Sequence, residues 1–209
     1  KEAVGYVLEG DINAARKDWG RAAAAYRGGL KQVNSSELAI KLHAVLLTSG
    51  QGAEADQFST SWQKANAKDA AFPFALGEGA LARQDYASAE KHYTAVTKVQ
   101  PNSAAAYNNL AWVSSKLNKE GAIAYAEKAN AMAPNQPAFM DTLALLLAKK
   151  GDYAQAEELE KRAIALQPSN ALWQLNLAKI HIQGAKKDLA RKELEKLRQL
   201  GDRFGAQAE

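Results

Sequence analysis

Apolar residues follow helical spacing over most of this chain, in stretches interrupted by short polar breaks such as Gln84-Asp85-Tyr86 and Gly151-Asp152-Tyr153. Such a break marks the end of one helix and the start of the next. The breaks belong to a longer period. Pro101, Pro134 and Pro168 are almost evenly spaced, and aligning the chain on them brings three further columns into register. These are Ala89, Ala122 and Ala156; Val96, Ala129 and Ala163; and the pairs Leu76-Gly77, Leu110-Ala111 and Leu143-Ala144. Each repeating unit is therefore expected to be two helices joined by a tight polar turn.

The pattern of Leu-Gly, a Gly-Asp-Tyr turn, two small residues and a closing proline resembles the tetratricopeptide repeat. The resemblance implies an all-α fold, a right-handed αα superhelix of about six helix pairs. Its ruler sets units at about 3–36, 37–69, 70–103, 104–136, 137–170 and 171–203, with 204–209 a tail or a truncated capping helix. The first unit fits through Gly10, Asp18-Trp19, Ala22 and Tyr26. The second is the weakest, with His43 at a usually apolar place and one residue missing near Gly50-Gln51-Gly52. The sixth lacks the Gly-Asp-Tyr turn and shows Ala185-Lys186-Lys187 instead. Small residues such as Ala89 let helix backbones approach, while Tyr26, Tyr86, Tyr93 and Tyr153 fill wider gaps. No unit can bury its apolar face alone, so stability is expected to come from stacking, with one continuous core and no domain boundary.

At about 100° per residue, the core places 4, 7, 8 and 11 of each first helix form one stripe, and places 2, 5, 9 and 12 form a second. In tetratricopeptide proteins the second stripe lines a concave groove, so the resemblance implies a partner-facing surface. It would draw Lys41 and Val45 from the second unit, and Phe74, Glu78 and Leu81 from the third. Asn108 and Trp112 come from the fourth, Asp141 and Leu145 from the fifth, and Leu175 and Lys179 from the sixth. Phe74, Leu81, Trp112, Leu145 and Leu175 make a broken apolar track dotted with charge, suited to an extended peptide or a helix. Trp112 is the leading anchor, since an exposed aromatic beside Asn108 and Asn109 can hold a peptide or stack on a sugar ring. The family's clamp for a C-terminal carboxylate is not spelled out: Lys41 is followed by Val45, then Ala75, then Ala105 with Asn109.

Composition narrows the chemistry. The chain has 209 residues, 47% hydrophobic and 24% charged, with 44 alanines and no cysteine, which favours a helical globular protein without disulfides or thiolate chemistry. No apolar run approaches the roughly 18 residues that span a bilayer, so no membrane contact is expected of this region. The net charge of +4 is spread out, and the densest basic cluster, Lys186 to Arg198, is broken by Glu193 and Glu195, so nucleic acid is not expected. His43, His92 and His181 fall in separate units without metal spacing, and the Gly50 and Gly77 pairs lack a phosphate-loop context. Acids such as Glu157-Glu158 read as a solvated face with i,i+4 pairs. No enzyme, metal or cofactor is expected.

Five stretches carry a closer resemblance: Tyr6-Val7-Leu8-Glu9-Gly10-Asp11, Glu37-Leu38-Ala39-Ile40-Lys41-Leu42-His43, Asn108-Asn109-Leu110-Ala111-Trp112, Tyr125-Ala126-Glu127-Lys128-Ala129 and Ala190-Arg191-Lys192-Glu193-Leu194. Together they are similar to the C-terminal region of bacterial TPR-repeat lipoproteins associated with PEP-CTERM and exosortase systems. That resemblance implies an envelope scaffold in exopolysaccharide assembly or export, or in surface-protein sorting. Its anchor would lie outside this chain, on the periplasmic side, with the cytoplasm as the other setting. The expected partner is a protein or peptide segment. Direct polysaccharide binding and a self-associating structural solenoid are the alternatives, and the sequence leaves the oligomeric state open.

Overall fold

The protein is described by a computed structural model over residues 3–199; the expected tail at 204–209 and the last places of the sixth repeat unit lie outside the described residues. Among those residues there are twelve α-helices and no strand. They are α1 (Ala3–Ala15), α2 (Trp19–Leu30), α3 (Ser36–Thr48), α4 (Gly52–Ala65), α5 (Ala71–Ala82) and α6 (Tyr86–Val99), followed by α7 (Ala104–Lys116), α8 (Ala122–Met132), α9 (Pro137–Lys150), α10 (Tyr153–Leu166), α11 (Ala171–Gln183) and α12 (Lys187–Gln199). They gather into two compact units, Lys1–Pro101 with the first six helices and Asn102–Glu209 with the last six.

Within each helix pair the connection is made by one backbone device. A residue with positive φ follows the first helix of every repeat, at Lys17, Gly50, Gln84, Asn118, Gly151 and Ala185, and the fourth repeat has a second at Gly121. At each of those that follow a first helix, the next amide donates back five residues, as from Asp85 to the Ala80 carbonyl and from Lys186 to the His181 carbonyl, over 2.8 to 2.9 Å. This closure satisfies carbonyls that the helix leaves without a partner. In three of the pairs the following aspartate then caps the second helix: Asp18, Asp85 and Asp152 accept from the amides of Arg21, Ser88 and Gln155. Ala185-Lys186-Lys187, which departs from Gly-Asp-Tyr, makes the same turn, because the closing bond uses backbone atoms only. Its left-handed alanine costs about 1 kcal/mol relative to a relaxed conformation.

The core of the first unit centres on Ala22, Tyr26, Leu38, Leu42, Leu46 and Ala55. Beside it, Phe72 sits with Ala39 and Leu76 against Phe58 and Trp62. In the second unit Ala111, Ala126, Leu143, Ala144, Leu147 and Ile180 pack together with Ala122 and Ala156, and a separate cluster joins Met140, Ala163 and Trp173. The aligned alanines Ala89, Ala122 and Ala156 are all buried, as close helix approach requires. Each fully buried leucine contributes roughly 1.5–3 kcal/mol of transfer free energy.

Candidate functional site

The residues assigned from the sequence to a partner-facing stripe fall on the first helices of their pairs, α3 and α5 in the first unit and α7, α9 and α11 in the second.

In the first unit, Lys41 on α3 is already engaged. Its Nζ donates to both carboxylate oxygens of Asp11 on α1, at 2.8 and 3.0 Å, while the Tyr26 hydroxyl donates to the same Oδ1 at 2.7 Å. The lysine hydrogen bonds hold the Asp11 carboxyl below its ordinary range against the opposing effect of burial. Burial, and then Asp11, push the Tyr26 hydroxyl far up. Val45 corrects the stripe: it is buried with Leu42, Leu46 and Ala55, so helix packing takes the side chain that was assigned to a partner. On α5, Phe74 is half-buried edge-on against Tyr93, with ring centroids 5.6 Å apart. Leu81 is half-buried and Glu78 exposed.

The second unit brings two of the assigned residues to one place. Trp112 on α7 and Leu145 on α9 are 36% and 37% exposed, and both line a cavity of about 240 Å³ with Ser115, Lys116, Thr142, Leu146 and Lys149. The Lys116 ammonium lies 4.7 Å from the centre of the Trp112 ring, a cation–π distance. Lys149 donates to the Ser115 carbonyl and to Asn118 Oδ1, both at 3.2 Å, which ties the end of α9 to α7 and its turn. Asn108 is half-buried one turn before Trp112. A larger depression of about 850 Å³ beside the start of α8 contains none of the assigned residues.

Asp141 and Lys179 belong to a second grouping. Asn176 Nδ2 on α11 donates to Asp141 Oδ1 at 2.7 Å, and Lys179, one turn further along α11, is exposed. Burial raises the Asp141 carboxyl above its ordinary range, against the hydrogen bond from Asn176, the adjacent Glu160 and the charge of Lys179. Glu160 on α10 has no exposed surface. Neither of its carboxyl oxygens has a hydrogen-bond partner. Burial, then the charge of Asp141, raise the Glu160 carboxyl to about 9, so at neutral pH it keeps its proton. Leu175 is the second correction. It is buried with Ala171 and Leu197 against Leu194, where α12 closes over α11.

The buried Glu160 was not anticipated from the sequence. A signal was present: Tyr26, Tyr93 and Glu160 stand two repeats apart in turn, so an acid occupies the place where two other repeats have tyrosine. Glu157 has i,i+4 pairing with Lys161 at 2.5 Å and reaches Lys186 at 2.7 Å as well, which brings its carboxyl down to about 2. Burial lowers His43 and His92, and His181 is buried 3.5 Å from Glu157. Among the described residues no three His, Cys, Asp or Glu side chains form a metal-binding group, and no helix is long and apolar enough to cross a membrane.

Tetratricopeptide repeat sequence models match residues 74–137 and 147–204. No curated protein matches the sequence. Among solved structures, a tetratricopeptide repeat protein from Parabacteroides merdae superposes with a TM-score of 0.73 at 15% identity, over 96% of this chain and 80% of its own. PilF of Pseudomonas aeruginosa gives 0.68 at 21% identity, over 95% of this chain and 91% of its own. YrrB, described as a tetratricopeptide protein with an unusual peptide-binding site, gives 0.67 at 16% identity, over 86% of this chain and 93% of its own. At these identities the likeness is one of fold, the tetratricopeptide solenoid of helix pairs.

Proposed function

On the premise that this chain is a tetratricopeptide repeat protein, we propose that it is a non-enzymatic protein-interaction scaffold that grips an apolar anchor of a partner segment between α7 and α9. The observation that carries this reading is the convergence of Trp112 and Leu145 on one cavity. A large aromatic that remains more than a third exposed beside an aliphatic neighbour has the composition of a binding hot spot. Lys116 and Lys149 at the same cavity favour a segment with acidic or carbonyl groups flanking the anchor. YrrB, with its peptide-binding site, supports a peptide ligand by analogy of fold.

The wider setting we propose is bacterial exopolysaccharide assembly or export, or the sorting of PEP-CTERM surface proteins, on the periplasmic side of the envelope. Its support is the similarity of the five stretches named above to lipoproteins of those systems.

A photo-crosslinking amino acid in place of Trp112, with Glu158 on α10 as the control position, tests the reading in cells. A protein captured from position 112 alone, and lost on Leu145→Asp, is the expected result. Glycan adducts at 112 without a protein band would transfer the assignment to polysaccharide binding. Equal capture from both positions would exclude this surface.

A further inference from the structure

The face that carries Trp112 and Leu145 changes character one helical turn before them. Asn108 precedes Trp112 on α7 and Asp141 precedes Leu145 on α9, by four residues in each case, so each pair shares one face of its helix. About 6 Å of helix axis separates the members of a pair. Asn108 and Asp141 hold the same place of consecutive repeats, as Trp112 and Leu145 do. The apolar anchors therefore have a polar row beside them.

That row has acceptors without donors. Asp141 is partly exposed and accepts one hydrogen bond, from Asn176 Nδ2 to its Oδ1 at 2.7 Å. Among the described residues none is donated to its Oδ2, and Lys179 lends it charge without forming an ion pair. The Asn108 Oδ1 accepts no hydrogen bond, and neither does the carboxyl of Glu160, which is wholly buried beside Asp141. On the other side of the anchors the charge is reversed. Lys116 stands four residues after Trp112, and Lys149 four after Leu145. Both ammonium groups already have contacts within the protein, Lys116 over the Trp112 ring and Lys149 on the Ser115 carbonyl and Asn118. The charge on this face that lacks a counterion is the Asp141 carboxylate.

We infer that the segment gripped at Trp112 and Leu145 carries an arginine whose guanidinium docks on Asp141, with Asn108 as a second acceptor. This docking rests on the reading of Trp112 and Leu145 as the anchor site, to which it adds the charge and register of the ligand. A guanidinium suits the place because it presents a planar fork of donors to a carboxylate, whereas the ammonium of lysine acts as a point charge. An acid at the same position of the segment would meet Asp141 with like charge. About 6 Å is spanned by two residues of extended chain or four of a helix, so the arginine is expected roughly two to four positions from the apolar anchor.

Random short peptides displayed on phage and selected on the whole chain supply the probe. Those enriched on the parent and lost on Leu145→Asp are expected to pair a bulky apolar residue with an arginine at that spacing. Fluorescence anisotropy of one enriched peptide then reads the contact itself. Replacing its arginine by alanine should raise Kd about tenfold on the parent and about twofold or less on Asp141→Asn, whose side-chain carbonyl can still accept from Asn176. Enriched peptides with an apolar residue and no preference for arginine would overturn the docking and leave the anchor site standing. So would an arginine whose removal costs as much on Asp141→Asn as on the parent. A selection in which no enriched peptide is lost on Leu145→Asp would overturn the docking and the anchor site together.

Discussion

The helix pairs α1–α2 and α5–α6 of the first unit and α9–α10 of the second solve one packing problem in two ways. In the first unit, Gly10 faces Tyr26 and Gly77 faces Tyr93; a Cβ on Gly77 would meet the Tyr93 ring at 2.7 Å. The same step of two repeats, continued into the second unit, gives Ala144 and Glu160. Where the ring is replaced by a smaller acid, the glycine has become alanine, and both new residues are fully buried. In the first of these pairs the ring also sends its hydroxyl to an acid on the first helix, Tyr26 to Asp11. The glutamate solution buries a carboxyl instead, and burial with the nearby charge of Asp141 keeps it protonated to about 9. The first unit thus holds its polar contact at any ordinary pH, while the second has a buried group that is sensitive to pH.

Removing the ring should have the largest effect. Tyr93→Ala is expected to lower stability by about 4 kcal/mol, measured by urea unfolding, since a buried aromatic is lost and a cavity left. Gly77→Ala should cost about 3 kcal/mol through overpacking against that ring, and much less in a Tyr93→Leu background; equal losses in both backgrounds would break the pairing of the two places.

Glu160→Gln should act in the opposite direction. The native carboxyl holds its proton to about 9 while an unfolded glutamate releases it near 4.5, so native stability falls as pH rises between those values. The amide has no proton to release, so the variant should gain on the order of 2 kcal/mol at pH 8 and much less at pH 5. A gain that does not change with pH would disprove the retained proton on Glu160. Tyr26→Phe should lose about 1 kcal/mol by leaving Asp11 one donor short. Ala185→Gly should gain about 0.5–1 kcal/mol by relieving a left-handed alanine, read as a small rise in urea midpoint.

The sequence alone disclosed the helix pairs because their determinants are local. The prolines and the Asp caps act within a few residues of where they stand, and the alanine columns recur at the same interval. It also marked Trp112 and Leu145, which the structure brings to one cavity. It misassigned the exposure of Val45 and Leu175, which hold the same kind of register place as Trp112 and Leu145. Helical register fixes the direction of a side chain relative to its own axis, and burial depends on what the neighbouring helix puts opposite. Val45 meets the packing around Leu42 and Ala55, and Leu175 meets Leu194 and Leu197.

The same division separates the remaining findings. A helix turn and its closing hydrogen bond involve residues close together in the chain, so even Ala185-Lys186-Lys187 closes as the other breaks do. The raised acidity range of Glu160 beside Asp141 and the Lys41–Asp11 ion pair involve residues on different helices. Periodicity in the chain determined which side chains recur and at what interval. Tertiary packing decided which of them were left in contact with water, because the desolvation of a group is set by everything around it and not by its place in the repeat.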